Sequence, residues 1–166
     1  MRLFFAIWPD DPGRAALAEL AGRLVQVAGG RATPAESIHL TLEFLGNVEP
    51  ERVPQIELIA GEVRARRFRV VLDRVGSFRR ARVAWAGSDR PPRELMGLQA
   101  DLHGRLRDNG FELEERPYSP HATVARKIER PVPRAPIDAI EWPVARFALV
   151  VSAAGRYATL ASWRLG

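Results

Sequence analysis

Two segments of the chain carry the same short frame. Residues 39–42 read His-Leu-Thr-Leu, and residues 121–124 read His-Ala-Thr-Val. The chain has 3 histidines, so two of the three occupy this frame. In an extended strand, residues i and i+2 point to the same face. His39 with Thr41, and His121 with Thr123, therefore each present an imidazole beside a hydroxyl. Leu40, Leu42, Ala122 and Val124 point the other way, toward a core. Two such strands brought together would form a site with two imidazoles and two hydroxyls. Histidine changes charge near neutral pH, so one ring can accept a proton while the other donates one. Threonine hydroxyls can donate hydrogen bonds to oxygens on which charge develops. This equipment suits acid–base chemistry at an oxyanion such as a phosphate, and the residues alone leave open which histidine is acid and which is base.

The ordinary reading of each residue competes with this one. A single histidine in a strand is more often structural than catalytic, and threonine is simply a good strand former. The repetition of the frame favours a joint site. No cofactor and no metal are expected. A two-histidine zinc site needs a further ligand, and Glu43, which by alternation shares a face with His39, is the one candidate. No G-x-S-x-G, P-loop or G-x-G-x-x-G is present, so a nucleophile-elbow hydrolase and nucleoside triphosphate chemistry find no support.

Other residues are secondary candidates. Arg126 and Lys127 follow the second frame and could hold a phosphate. By strict alternation Lys127 shares the face of His121 and Arg126 does not. Tyr118 could stack on a base, with packing as the competing role. His103 falls beside a leucine stripe and reads as a boundary residue.

The elements that must position these residues can be sketched from pattern. Arg2–Trp8 is expected as a strand, and Pro12 opens a helix with Leu17, Leu20, Leu24 and Val27 as its apolar stripe, closed by Gly29-Gly30. A strand is expected over Ile38–Leu45, then a second helix over 51–65. Strands follow over Phe68–Leu72 and Val83–Ala86, and then a third helix carrying Leu95, Leu98, Leu102 and Leu106. The proline-rich stretch 129–143 is expected as loop. Phe147–Ser152 and Tyr157–Trp163 read as closing strands around a turn at Ala154-Gly155. In each half a strand leads to a helix, a glycine and a histidine strand, so two similar, interleaved lobes are expected within one domain spanning 1–166.

Composition narrows the class. The chain has 166 residues, 46% hydrophobic and 27% charged, enough for a normal core. Neither a membrane-spanning run nor a leader peptide is evident, so a cytoplasmic protein is expected. With no cysteine, disulfides and thiol nucleophiles are excluded. The net charge is +5, and Lys127 is the only lysine. Arginine suits phosphate, although a GC-rich coding sequence produces the same bias.

These motifs resemble the two-histidine (2H) phosphoesterase superfamily. Within it, the chain looks like the bacterial and archaeal RNA 2′,3′-cyclic phosphodiesterases, historically named 2′-5′ RNA ligases. The likeness rests on HLTL at 39–42 and HATV at 121–124. It extends through RLFFAIWP, SIHLTLEFLGNV, RPYSPHATVARK and the closing SWRL. It implies a bilobal α+β fold with a pseudo-twofold axis, in which two antiparallel sheets face a central cleft and helices cover the outer sides. It also implies metal-independent hydrolysis of a terminal 2′,3′-cyclic phosphate on RNA to a 2′-phosphate, with 2′-5′ ligation as the reverse reaction. His39 maps onto the proton donor, His121 onto the base, and Thr41 and Thr123 onto phosphate ligands. The partners implied are RNA termini or nucleotides with a cyclic phosphate, bound by a monomer away from membranes. Competing expectations are a phosphodiesterase of small cyclic nucleotides or 2′-5′ oligonucleotides, an RNA-end-binding module with incidental catalysis, or a structural domain with buried histidines.

Overall fold

A computed structural model describes residues 1–166. Three helices cover one face of an antiparallel sheet whose strands run β7-β4-β5-β6-β3-β1-β8-β9. The strands are β1 (Arg2–Ile7), β2 (Arg31–Ala32), β3 (Leu40–Asn47), β4 (Phe68–Phe78), β5 (Val83–Gly87), β6 (His121–Arg126), β7 (Ala135–Val144), β8 (Arg146–Ala153) and β9 (Arg156–Arg164). The helices are α1 (Asp11–Ala28), α2 (Val53–Gly61) and α3 (Arg93–Asp108). Short β2 pairs with β6 alone.

The sheet is two halves that barely touch. Each side of the centre is a run of well-paired strands, β7-β4-β5-β6 and β3-β1-β8-β9. The central strands β3 and β6 share one paired position, Leu40 with Ala122. The expected pair of antiparallel sheets around a cleft is realised in this way. The halves are related by the repeat β1–α1–β3 and β5–α3–β6. Each connecting helix crosses over: α1 packs on β6, and α3 packs on β3.

The apolar stripes explain the packing. Leu17, Leu20 and Ala21 of α1 and Leu95, Leu98, Leu102 and Leu106 of α3 are buried in one cluster with Leu40, Leu42, Ala122 and Val124. Each fully buried leucine contributes ~1.5–3 kcal/mol of apolar transfer free energy. The stripe of α1 turns toward Ala21 and Ala28, which leaves Val27 70% exposed, against expectation. Asp10 caps α1 by accepting from the Gly13 amide at 2.8 Å. At the other end Gly29 and Gly30 have positive φ, and a Cβ on Gly30 would lie 2.4 Å from the Arg126 carbonyl oxygen. Only glycine lets the end of α1 press so closely on the end of β6.

Three expectations are corrected. The proline-rich stretch is not all loop: Ala135–Val144 is a strand of 10 residues. It sits at the sheet edge, where Pro136 and Pro143 can lack an amide hydrogen without breaking a ladder on both sides. Strand β4 continues through Gly76-Ser77 to Phe78, because the indole of Trp85 covers Gly76. Helix α2 starts after a 3-10 turn at Pro50–Arg52 and ends at Gly61, so it is shorter than the pattern implied. No helix is long and apolar enough to cross a membrane.

Candidate active site

The single pairing of Leu40 with Ala122 sets the geometry of the site. Continued by one residue each way, the antiparallel register puts His39 opposite Thr123 and Thr41 opposite His121. All four project from the face opposite the core. Diagonal positions in such a pair lie about 7–8 Å apart, so the two imidazoles flank a space the size of a phosphate. The two frames are thus brought together, with His39 just before β3 and His121 as the first residue of β6.

Each histidine is held by the carbonyl two residues before it. His39 Nδ1 donates to the Ser37 carbonyl oxygen at 2.8 Å, and His121 Nδ1 donates to the Ser119 carbonyl oxygen at 2.8 Å. A carbonyl cannot donate, so Nδ1 carries the hydrogen in both rings, and in the neutral form Nε2 holds the lone pair. The frame is therefore Ser-x-His-x-Thr, and the serine that repeats with each histidine is readable in the sequence. Pairing of each frame with its outer neighbour is also irregular at the same place, just past the threonine: Thr41 and Glu43 face consecutive β1 residues, as Thr123 and Ala125 face consecutive β5 residues. These matching bulges reset the alternation.

The bulges correct two face assignments. Glu43 pairs with Phe5, a core residue, rather than sharing the face of His39. Its Oε2 accepts from His103 Nδ1 at 2.8 Å and from Gln99 Nε2 at 3.1 Å, both on α3. Arg126 pairs with Val83 one step beyond the bulge, which turns it to the face of His121 and Thr123. Lys127 lies past the strand end with φ 55 and is exposed. Of the two cations, Arg126 is thus the one beside the site.

The histidines differ in their surroundings. Phe4 stacks on the His39 ring at 4.9 Å, and Trp8 and Tyr157 meet it edge-on at 5.4 and 5.3 Å. Burial holds the His39 pKa below its ordinary 6.5; the Ser37 carbonyl opposes this, and the charges of Arg126 and His121 add to it. Neutral His39 accepts at Nε2 from the Thr41 hydroxyl, 3.0 Å away. His121 meets one aromatic edge, Phe78 at 5.1 Å, and its Nε2 has no protein partner. The Thr123 hydroxyl also has none.

The family is decided by comparison on this footing. The profile of a family described as LigT like Phosphoesterase matches residues 7–85. The RNA 2′,3′-cyclic phosphodiesterase of Escherichia coli (strain K12) is 34% identical over 99% of this chain and 96% of its own length. The chain belongs to the LigT-like phosphoesterase family. The Thermus thermophilus RNA 2′,3′-cyclic phosphodiesterase is 35% identical over 92% of this chain and 82% of its own. The crystal structure of E. coli LigT complexed with 3′-AMP superimposes with a TM-score of 0.89 at 34% identity, covering 99% of this chain and 97% of that one.

Tyr118, half-buried beside the site, acts as a strut. Its hydroxyl donates to the Thr41 carbonyl oxygen at 2.7 Å, across the parting between the halves. Burial, and then the Glu43 carboxyl, push its phenol well above the ordinary value of 10.0. A cavity of about 620 Å³ opens beside it, reaching from Thr41 and His121 to Glu43 and Gln99, with the half-exposed rings of Phe44 and Phe78 along it. The boundary assignment of His103 is refined: it is 16% exposed and clamps Glu43. Burial raises the Glu43 pKa above its ordinary 4.5, and the hydrogen bonds from His103 and Gln99 hold it back.

Proposed function

We propose that this phosphoesterase hydrolyses the terminal 2′,3′-cyclic phosphate of RNA to a 2′-phosphate by paired acid–base catalysis. The observation that carries this reading is the asymmetry of the two Nε2 atoms. His121 Nε2 holds an uncommitted lone pair, the condition of a general base toward water. His39 Nε2 is tied to Thr41, beside the same space. A phosphodiester anion bound there favours the imidazolium form of His39, opposing the burial that holds it neutral.

The steps balance as follows. His121 Nε2 takes a proton from water as the water oxygen attacks phosphorus. The bond from phosphorus to O3′ breaks, and protonated His39 delivers its Nε2 proton to O3′. The product keeps phosphate on O2′, and exchange with solvent returns His39 and His121 to their starting states. Thr41, Thr123 and Arg126 donate hydrogen bonds to the non-bridging oxygens, where charge accumulates in the transition state. With a 5′-hydroxyl in place of water the same ring opening would join two ends by a 2′-5′ phosphodiester, His121 taking the proton of the attacking hydroxyl and His39 protonating the departing O3′.

The test is an RNA oligonucleotide ending in a 2′,3′-cyclic phosphate, incubated with the protein in excess EDTA. The expected product carries a 2′-phosphate. A 3′-phosphate, or an unopened ring with folded protein, overturns the reading.

A further inference from the structure

The cavity beside His121 has a floor unlike its walls. Glu43 is 7% exposed, and Oε2 takes both hydrogen bonds the protein offers it, from Gln99 and His103. Oε1 takes none, although it lines a cavity that a solute can enter. Gln99 directs one amide hydrogen to Glu43, and its carbonyl oxygen is a free acceptor. The deep end of the cavity therefore holds two unused acceptors, Glu43 Oε1 and the Gln99 carbonyl oxygen. Toward the mouth stand Phe44, 55% exposed, and Phe78, 41% exposed, aromatic surface of the kind on which bases stack. The mouth also carries Arg80, which has no ion-pair partner. The volume of about 620 Å³ is ample for a nucleoside.

We infer that this cavity holds the base of the nucleotide bearing the cyclic phosphate, and that Glu43 and Gln99 select bases presenting amino hydrogens, guanine first. Guanine offers adjacent N1–H and N2–H donors to two acceptors. Adenine and cytosine offer one exocyclic amine. Uracil flanks its single N3–H with two carbonyl oxygens, which two acceptors repel. The inference rests on the cyclic-phosphodiesterase reading for its choice of ligand, but it is carried by a cavity, a buried half-used carboxylate and two aromatic rings. Glu43 does not touch the reacting atoms in this account; it is a specificity residue.

The test is equilibrium binding of the four nucleoside 2′-monophosphates, which needs no turnover. The expected order is guanine, then adenine and cytosine, then uracil, with about tenfold or more between the extremes. Glu43→Gln leaves its oxygen to Gln99 and His103 and turns an amide donor into the cavity, so the order should flatten or invert. Gln99→Met, which keeps the helix and removes one acceptor, should narrow the gap by itself and serves if Glu43→Gln fails to fold. Phe44→Ala should weaken all four alike. Equal affinity for the four bases, no binding, or an order unchanged in both floor variants overturns the inference. Ordered binding without hydrolysis of any cyclic phosphate would instead overturn the catalytic reading and leave the base subsite standing.

Discussion

The half around His39 and the half around His121 share one backbone device and differ in almost everything that surrounds it. In both, a serine carbonyl fixes Nδ1, a threonine follows at i+2, and a bulge follows the threonine. Around His39 three aromatic rings close in and the threonine hydroxyl is engaged. Around His121 there is one aromatic edge and an open cavity. Backbone geometry thus duplicates the reagent, and packing makes the two copies unequal. Burial disfavours charge on His39, so in the proposed reaction it serves as the acid once a bound phosphodiester anion stabilises its imidazolium.

The largest predicted effect removes either member of the pair. His39→Ala and His121→Ala should each lower kcat by about 10²–10⁴, with the fold intact by circular dichroism, since neither ring fills the core cluster. Next come the hydroxyls. Thr123→Val should lower kcat by about 10² with little change in KM, as loss of one charge-stabilising donor does. Thr41→Val should do the same and also alter the titration of His39, to which Thr123 makes no bond; matching NMR titrations in the two variants would break the comparison. Tyr118→Phe leaves the Thr41 carbonyl without its partner and should cost about 1–3 kcal/mol in denaturant unfolding.

The smallest effect is the titration itself. His39 should show an NMR midpoint below 6.5, and Trp8→Ala, by admitting water, should raise it. Because the folded protein disfavours charged His39, the unfolded chain binds that proton more readily. The stability contributed by neutral His39 is therefore full above about pH 6.5 and is lost as pH falls from there toward the folded value. A midpoint at or above 6.5 would contradict the packing argument.

Much of this was legible in the chain. The repeated His-x-Thr frames lie in local strand geometry, which period-2 reasoning captures, and the leucine stripes of α1 and α3 fall at helical spacing. What was not legible depended on neighbours. The bulges that turn Glu43 to α3 and Arg126 to the site follow from pairing with β1 and β5, and strict alternation predicts the opposite faces. Pro136 and Pro143 signal a loop locally, and only their position at a sheet edge makes a strand possible. The His103–Glu43 contact joins residues distant in sequence, so no spacing announces it. The serine two residues before each histidine was visible throughout, and its meaning lay in a backbone carbonyl rather than in the side chain.

The most direct test of a coupled acid–base pair is a double-mutant cycle on RNA 2′,3′-cyclic phosphate in EDTA, with His39→Ala, His121→Ala and the double variant. If the two imidazoles act in one displacement, each single variant should lose nearly as much rate as the double, because groups that work as a unit are strongly non-additive. Additive losses, or a single variant with near-normal turnover, would show that the two histidines do not share one reaction.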